Sequence, residues 1–182
     1  IDYMAEWGRR IEGDVIESDR PKENIFLFHK PIGVVAGILP WNFPFFLIAR
    51  KLAPALVCGN AIVLKPSEET PNNAFEFCKI LNQLDLPAGL VNLVSGYGAS
   101  AGRALTESTK VGLISFTGSV DTGSRIMATA AQNITRVNLE LGGKAPAIVT
   151  ANADLDLAAT AIQASRVINS GQVCNCAERI YV

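Results

Sequence analysis

Two cysteines near the end of the chain are the strongest candidates for covalent chemistry. Cys174 and Cys176 lie in the segment GQVCNCAER among small and polar residues, whereas Cys78 lies on an apolar helical face. A reactive thiol suits that setting, and it needs local stabilisation because the ordinary cysteine pKa is about 8.5. A zinc or redox centre is the alternative, but C-x-C without a second pair is a poor zinc pattern. Because His29 is the only histidine, we expect neither a metal site nor a Cys-His catalytic pair.

Glu140 and Asn42 are the polar residues that could assist such a nucleophile. Glu140 ends the otherwise apolar segment RVNLE and is followed by two glycines. Desolvation raises a carboxyl pKa, so a buried glutamate here would act as a general base, with an ion pair to Lys144 as the alternative. Asn42, in PWNFPFF, precedes an apolar helix. It either caps that helix or donates a hydrogen bond from its amide to a developing oxyanion.

Three turns carry residues that suit a dinucleotide. In VLKPSEET, Lys65 ends a strand and Glu68 follows it. A carboxylate there can hold both ribose hydroxyls and repel a 2′-phosphate, which favours NAD over NADP, unless the two residues form only a surface ion pair. In FTGSVDTG, Gly118 and Ser119 stand at a helix start, which suits a phosphate, although Ser119 also suits a helix cap. The third turn, SGYGASAGRAL, lacks the standard dinucleotide spacing, and a tight packing turn explains it equally well.

The elements that must position these residues alternate along the chain. Short apolar strands alternate with amphipathic helices, as in NAIVLKP, NNAFEFCKILNQLD and VGLISFTGS. This alternation is typical of βαβ units and predicts an α/β fold with a doubly wound, parallel, Rossmann-like sheet. Ligands of such sheets lie beyond the carboxyl ends of the strands, where the candidate residues fall. At the start of the chain, Ile1, Met4, Trp7 and Ile11 have helical spacing, which predicts an amphipathic helix over residues 1–17.

Composition excludes several classes of function. The chain has 182 residues, of which 49% are hydrophobic and 18% charged, enough to bury a core. A net charge of -1 provides no basic surface for nucleic acid. The longest apolar run, residues 43–57, is interrupted by Arg50 and Lys51 and is too short to cross a membrane. Four scattered cysteines indicate a reducing compartment, so a cytoplasmic protein is expected.

Taken together, ILPWNFP, LKPSE, FTGSV, LELGGK and GQVCNCAER, in this order, resemble the aldehyde dehydrogenase superfamily, and the similarity spans essentially all 182 residues. Glu140 and Cys174 are 34 residues apart, which is the family's spacing. Within the superfamily, IDYMAEWGRRIEG, NFPFFLIARKLAPAL and RVINSGQVCNCAER look most like the bacterial branch that oxidises lactaldehyde and glycolaldehyde. Members of the family are longer, so we expect a fragment that lacks most of the catalytic domain and the C-terminal glutamate-phenylalanine motif.

The resemblance implies oxidation of an aldehyde to a carboxylic acid with NAD, or alternatively NADP. Cys174 would be the nucleophile, Asn42 and the Cys174 backbone N–H the oxyanion donors, and Glu140 the base that activates water for thioester hydrolysis. The implied cofactor residues are Lys65 and Glu68 at the adenosine ribose, lined by Pro66 and Ser67, Gly118 and Ser119 at the pyrophosphate, Pro40 and Trp41 beside the cleft, and Arg103 at the adenosine end.

Arg50 departs from many relatives, which carry an aromatic or apolar residue at that position. We expect Arg50 to share a helix face with Asn42. Arg50 and Asn175 are therefore predicted to bind the polar substituent of a small hydroxyaldehyde, with a salt bridge of Arg50 in a longer protein as the alternative.

The resemblance also implies a division of the chain. Residues 1–30 would form a helix and the start of a subunit-contact arm, so the full-length protein is expected to be a homo-oligomer. Residues 31–140 would form the NAD-binding domain, and residues 141–182 the beginning of the catalytic domain with the nucleophile loop. Two rivals remain: a cofactor-binding fragment without catalysis, and a CoA-acylating dehydrogenase, which Glu140 in LELGGK disfavours.

Overall fold

A five-stranded parallel sheet forms the centre of the molecule. In the computed structural model, which describes residues 1–182, its strands are β3 (Val34–Ile38), β4 (Ala61–Lys65), β5 (Val91–Leu93), β6 (Leu113–Thr117) and β7 (Arg136–Glu140). The order is β5-β4-β3-β6-β7, and all neighbouring strands are parallel. The chain winds outward from β3 first to one side and then to the other, so the switch point lies between β3 and β6. The predicted doubly wound parallel sheet is confirmed.

Helices cover the two faces of this sheet. On one face lie α2 (Pro44–Val57) and α3 (Asn72–Leu81). On the other lie α4 (Arg103–Glu107), which continues from a π-helical turn at Gly98–Gly102, and α5 (Val120–Ala131). Because strand side chains alternate, β3 contributes to two cores. One core contains Val35, Ile48, Leu52, Ile62, Leu64 and Phe77, and the other contains Ala36, Ile38, Ile114, Phe116, Ile126 and Ala130.

A second, smaller unit follows the sheet. Strands β8 (Ala145–Ile148) and β9 (Ala177–Tyr181) pair in parallel, and α6 (Leu155–Val167) connects them. The Asp154 carboxylate caps α6 by accepting a 3.0 Å hydrogen bond from the Leu157 N–H. No residue of α6 is buried. The segment with Cys174 lies between the end of α6 and the start of β9.

The N-terminal segment differs from the sequence prediction. Only α1 (Asp2–Ala5) and a 3-10 turn at Glu6–Arg9 are helical, and β1 (Asp14–Glu17) pairs antiparallel with β2 (Asn24–Leu27). The predicted helix over residues 1–17 is therefore wrong in its second half. Residues of β1 obtain their hydrogen bonds from a later strand, and helical spacing of apolar residues does not reveal that partner. None of the helices combines the length and the apolar composition that a membrane span requires.

Candidate active site

The carboxyl edge of the parallel sheet collects most of the predicted site residues. Pro40, Trp41 and Asn42 follow β3, and Pro66, Ser67 and Glu68 follow β4. Gly118 and Ser119 follow β6, while Lys65 and Glu140 are the last residues of their strands. Parallel strands end at the same edge, so the fold brings these segments to the crevice where doubly wound sheets bind ligands.

Lys65 is a buried cation at that edge. It is 2% exposed, and its Nζ donates hydrogen bonds to the Pro66 carbonyl over 3.0 Å and to Glu68 Oε2 over 3.2 Å. The alternative of a Lys65–Glu68 ion pair is therefore confirmed, but the pair is not wholly at the surface, because the lysine is enclosed while the Glu68 side chain is 38% exposed. The pKa of Glu68 is lowered, first by a hydrogen bond from its own backbone N–H and then by Lys65 and the Gly98 N–H. Glu68 is thus held as an acceptor.

The glycine-rich turn contributes to the same place. A Cβ added at Gly102 would lie 3.8 Å from the Cδ and Cε atoms of Lys65, and the Gly98 N–H acts on Glu68. Arg103, at the start of α4, is instead engaged with Glu107, with 2.6 Å between Nε and Oε1. That carboxylate raises the pKa of Arg103. The turn therefore packs on the lysine, while the Arg103 guanidinium lies along its own helix.

Ser119 caps helix α5. Its Oγ accepts a 3.3 Å hydrogen bond from the Thr122 N–H. The intrahelical ladder begins at Gly123, whose N–H donates to the Ser119 carbonyl over 3.0 Å. The earlier N–H groups of the first turn have no intrahelical acceptor. The capping alternative is thus confirmed, and it leaves the positive end of the helix dipole at the carboxyl edge.

Cys174 occupies an open turn. The Cys176 N–H donates to the Val173 carbonyl over 3.1 Å, which places Cys174 and Asn175 at the two central positions. Cys174 is exposed. Cys176 is 3% exposed, and its sulfur lies 4.0 Å from the Ile168 carbonyl oxygen. Two cysteines that are close in sequence thus have opposite environments, and of these two only Cys174 presents an accessible thiol.

Asn42 reaches the segment that contains Cys174 through a long-range hydrogen bond. Its Nδ2 donates a 2.9 Å hydrogen bond to the carbonyl of Gln172, just before Cys174. The Oδ1 atom is buried without a partner. Asn42 is not the cap of α2, because Phe43 occupies that position and no side chain caps the helix. The capping alternative is therefore wrong: the amide turns away from α2 and bonds to the loop.

Glu140 differs from its sequence-based description. It is exposed at the end of an edge strand, so the expected burial is absent in this chain. The alternative ion pair with Lys144 is also absent, because Lys144 Nζ pairs with Glu178 Oε1 at 2.5 Å. Glu140 instead acts electrostatically on Lys51, whose pKa it raises. In this chain Glu140 is thus open to solvent and forms no short ion pair.

Lys51 is the functional candidate that sequence analysis missed. It is 7% exposed, and burial lowers its pKa to about 8, partly offset by Glu140. Its Nζ donates to Ser115 Oγ over 2.9 Å. A lysine on an otherwise apolar helix face was the available signal, but such a lysine usually extends its charge into solvent. Thr117 Oγ1, at the end of β6, is a second missed group, buried without a partner.

The prediction that Arg50 shares a helix face with Asn42 is wrong, because α2 begins at Pro44 with Phe43 as its N-cap, and Asn42 precedes the helix. Arg50 and Asn175 are not joined by a hydrogen bond. Arg50 is exposed and lines a cavity of about 700 Å³ whose polar lining includes His29, Lys51, Asn60, Ser115 and Asn138. Asn175 lies in the turn with Cys174. No cluster of three or more His, Cys, Asp or Glu side chains has the geometry of a metal site.

The comparisons with known proteins agree on one family. The profile described as "Aldehyde dehydrogenase family" matches residues 1–182. Lactaldehyde dehydrogenase of Escherichia coli (strain K12) is 66% identical over 182 residues, which are 100% of this chain and 38% of that protein. The D-glyceraldehyde dehydrogenase (NADP(+)) of Thermoplasma acidophilum is 44% identical over 182 residues, 100% of this chain and 37% of that protein.

Solved structures give the same result. The crystal structure of lactaldehyde dehydrogenase from Escherichia coli superposes with a TM-score of 0.96 at 66% identity, covering 100% of this chain and 38% of that one. PnpE in complex with nicotinamide adenine dinucleotide superposes with a TM-score of 0.92 at 42% identity, covering 98% of this chain and 36% of that one. The chain therefore spans well under half of the length of these proteins. Because the family profile covers every residue, the chain belongs to the aldehyde dehydrogenase family.

Proposed function

We propose that the chain is the cofactor-binding half and nucleophile loop of an NAD-dependent aldehyde dehydrogenase, here called the parent enzyme. The observation that carries the proposal is the 2.9 Å hydrogen bond from Asn42 Nδ2 to the Gln172 carbonyl. It links the carboxyl edge of the dinucleotide-type sheet to the loop with the accessible Cys174 thiol. An amide donor, a thiol and a carboxylate at the end of β7 are the groups that two-step acyl chemistry needs.

Cys174 would attack the carbonyl carbon of the aldehyde and form a thiohemiacetal. The oxyanion would accept hydrogen bonds from Asn42 Nδ2 and from the Cys174 N–H. Asn42 has two N–H hydrogens, and the Gln172 carbonyl engages one of them, so the second is free for the oxyanion. After hydride removal, Glu140 would take a proton from the water that hydrolyses the thioester, and the Cys174 thiol would be regenerated.

The residues at the carboxyl edge fit a dinucleotide. Glu68 is kept ionised by its hydrogen bonds and by Lys65, which suits the two ribose hydroxyls, lined by Pro66 and Ser67. The start of α5, which follows Gly118 and Ser119, offers the remaining N–H groups of its first turn for a pyrophosphate, since the Gly118 N–H already donates to the Glu140 carbonyl. Bound here, NAD would supply the acceptor for hydride. We place Pro40 and Trp41 beside the cleft and Arg103 toward the adenosine end.

The preference for NAD over NADP rests on Glu68, whose negative charge would repel a 2′-phosphate. NADP is the alternative cofactor, and the Thermoplasma acidophilum relative is named D-glyceraldehyde dehydrogenase (NADP(+)).

A small hydroxyaldehyde is the proposed substrate. The support is the 66% identity to a protein named lactaldehyde dehydrogenase, together with Arg50, an exposed cation on α2 downstream of Asn42. A cationic hydrogen-bond donor would recognise a hydroxyl substituent that an alkyl aldehyde lacks. In the parent enzyme we place Arg50 and Asn175 on either side of that substituent.

For the 182-residue chain alone, a second candidate function is cofactor binding without turnover. Cys174 and Glu140 are both exposed here, whereas oxyanion stabilisation and hydride transfer need a site that excludes water. A CoA-acylating reaction is a further alternative, in which a thiol replaces water in the second step. Glu140, free of an ion pair with Lys144, favours the hydrolytic reaction.

We also propose that residues 1–30 contact another subunit in a homo-oligomeric parent enzyme. Strands β1 and β2 expose Val15, Ile16, Ile25, Phe26 and Leu27, an apolar surface that is unusual for a solvated hairpin. A cytoplasmic location is proposed because the four cysteines are unpaired and the nucleophile must stay reduced.

The proposal is tested by mixing the parent enzyme with NAD and lactaldehyde and following NADH in the first turnover. We expect a burst that is lost in Cys174→Ser and retained in Cys176→Ala, since the buried Cys176 has no assigned role. A Cys174→Ser enzyme that oxidises the aldehyde at the wild-type rate would refute the covalent mechanism. Product release that depends on CoA would favour the acylating alternative.

A further inference from the structure

We propose that Asn169 is the positioning residue that fixes Asn42, and with it the oxyanion-binding amide, against the nucleophile loop. This inference rests on the proposed function. Asn169 Nδ2 donates a 3.1 Å hydrogen bond to the backbone carbonyl of Asn42. Asn42 Nδ2 in turn donates to the Gln172 carbonyl over 2.9 Å. The two bonds run in opposite directions between the same two segments, which are distant in sequence.

The backbone at Asn169 has a conformation that favours this residue type. Asn169 has φ 46° and ψ 44°, and Ser170 has φ 57° and ψ 29°. Among non-glycine residues, asparagine adopts the left-handed region most readily. Two consecutive left-handed residues, followed by Gly171 at φ 77°, turn the chain sharply after α6. Asparagine therefore fits this kink and also supplies the donor to Asn42.

Few other bonds hold Asn42. Its Oδ1 is buried without a partner, and its side chain does not cap α2. Asn169 fixes the main chain of Asn42, and Gln172 fixes one hydrogen of its amide. Together the two bonds set the direction of the second amide hydrogen, which is the one available to an oxyanion. Small errors in such a direction lower the rate of the chemical step strongly.

The experiment measures the burst of NADH with the parent enzyme, NAD and lactaldehyde. Asn169→Gly keeps the left-handed backbone accessible but removes the donor, so the burst rate should fall by about tenfold or more while the KM for NAD is unchanged. Aspartate also accepts the left-handed backbone, but in Asn169→Asp a carboxylate faces the Asn42 carbonyl. The burst rate of this variant should fall at least as far as that of Asn169→Gly. Ser170→Gly is the matched control: it changes the neighbouring left-handed residue without removing a side-chain hydrogen bond, and its burst should equal wild type.

A second background separates positioning from general support of the loop. If Asn169 acts through Asn42, Asn169→Gly should slow an Asn42→Ala enzyme by less than about twofold, because the amide it orients is gone. An equal loss in both backgrounds would overturn the proposal, as would a wild-type burst in Asn169→Gly. If Asn169→Gly does not fold, Asn169→Asp replaces it. Failure of both variants to fold would show a structural role and also overturn the proposal. Absence of any burst in the wild-type parent enzyme would instead refute the proposed function.

Discussion

The ammonium of Lys51 donates a 2.9 Å hydrogen bond to the hydroxyl of Ser115, which ties helix α2 to strand β6. Ser115 Oγ also lies 3.3 Å from Oδ1 of Asn138 on β7, with the hydroxyl as donor. Glu140 follows two positions along the same strand and therefore faces the same side of the sheet. Its carboxylate raises the pKa of Lys51 against the larger lowering by burial. A buried cation whose pKa is lowered to about 8 thus lies within electrostatic range of the proposed base.

This arrangement predicts that stability rises with pH in an alkaline window. Lys51 has a folded-state pKa of about 8, below its ordinary value of 10.5. Between these two values the unfolded chain binds more protons than the folded chain, so rising pH favours the folded state. Below about pH 8 the lysine is charged in both states, so the full destabilisation from burying the cation is present. Between pH 7.5 and pH 10, the free energy of unfolding of the wild-type chain should rise by about 2 kcal/mol relative to that of Lys51→Met, as measured by urea unfolding.

Glu140→Gln serves as the partner variant in that titration. Removing the carboxylate should lower the pKa of Lys51 further, because only the lowering effects of burial and Arg50 remain. The stability gain should then begin at a lower pH than in wild type. A stability difference between wild type and Lys51→Met that is constant from pH 7.5 to pH 10 would contradict the burial of a charged lysine.

Lys65 gives a prediction about cofactor affinity. Its ammonium is enclosed and bonded to Pro66 and Glu68, so Lys65→Met removes the charge and keeps most of the side-chain volume. In the proposed site the Lys65 ammonium donates a hydrogen bond to the adenosine ribose of NAD. Losing a hydrogen bond of a charged group costs about 1.5–3 kcal/mol, so the Kd for NAD should rise roughly tenfold to a hundredfold. Titration calorimetry of the parent enzyme with NAD measures this change.

Lys79→Met is the matched control for that experiment. Lys79 also pairs with a glutamate three residues away, but both side chains are 68% exposed, and exposed pairs contribute little. Its Kd for NAD should equal wild type. If the Lys65 and Lys79 variants bind NAD with equal affinity, the assignment of Lys65 to the cofactor site is wrong.

Local sequence predicted those parts of the structure that depend on local spacing. The alternation of strands and helices gave the parallel sheet, and the residues that follow β3, β4 and β6 were correctly placed at its carboxyl edge. The hairpin β1-β2 was missed because Ile16 pairs with Ile25, a contact that helical spacing of apolar residues cannot show. Whether such a short amphipathic segment forms a strand or a helix is determined by its pairing partner rather than by the intrinsic propensity of its residues.

The candidate site shows the same division. Cys174 was found because its neighbours are small and polar, a local property. Asn42 was assigned two roles because its partner, the Gln172 carbonyl, lies 130 residues away. Lys51 was missed since its burial depends on Ser115, 64 residues away. Long-range contacts therefore decide which polar residues of a helix or turn belong to the site.

Arg50 gives a prediction about substrate preference. If its guanidinium binds the hydroxyl of a small hydroxyaldehyde, Arg50→Leu in the parent enzyme should lower kcat/KM for lactaldehyde by about tenfold or more. The value for propanal, which lacks the hydroxyl, should stay within a factor of about two. Arg125→Leu, an exposed arginine of α5, should leave both values unchanged. An unchanged ratio of the two substrates in Arg50→Leu would leave the salt-bridge alternative as the explanation of this residue.

Asn60 is predicted to stabilise the fold that carries the site. Its Oδ1 accepts hydrogen bonds from the N–H groups of Ile32 over 2.7 Å and Gly33 over 2.9 Å. Its Nδ2 donates to the Ala55 carbonyl over 3.3 Å. The side chain thus joins the end of α2 to the segment that enters β3. Asn60 is 5% exposed, so in Asn60→Ala water cannot fully replace these bonds, and the free energy of unfolding should fall by about 2–3 kcal/mol.

Asn92→Ala provides the comparison, since Asn92 makes one exposed hydrogen bond, from Nδ2 to the Gly89 carbonyl over 2.7 Å. An exposed bond is readily replaced by water, so the expected loss is about 0.5 kcal/mol. Both variants are compared with wild type by urea unfolding at one pH below 8, where Lys51 remains protonated and does not contribute a difference. Equal losses would mean that the turn before β4 holds β3 without the Asn60 amide. A larger loss in Asn60→Ala would show that the Asn60 side chain holds the start of the central strand β3, and with it the segment that contains Asn42.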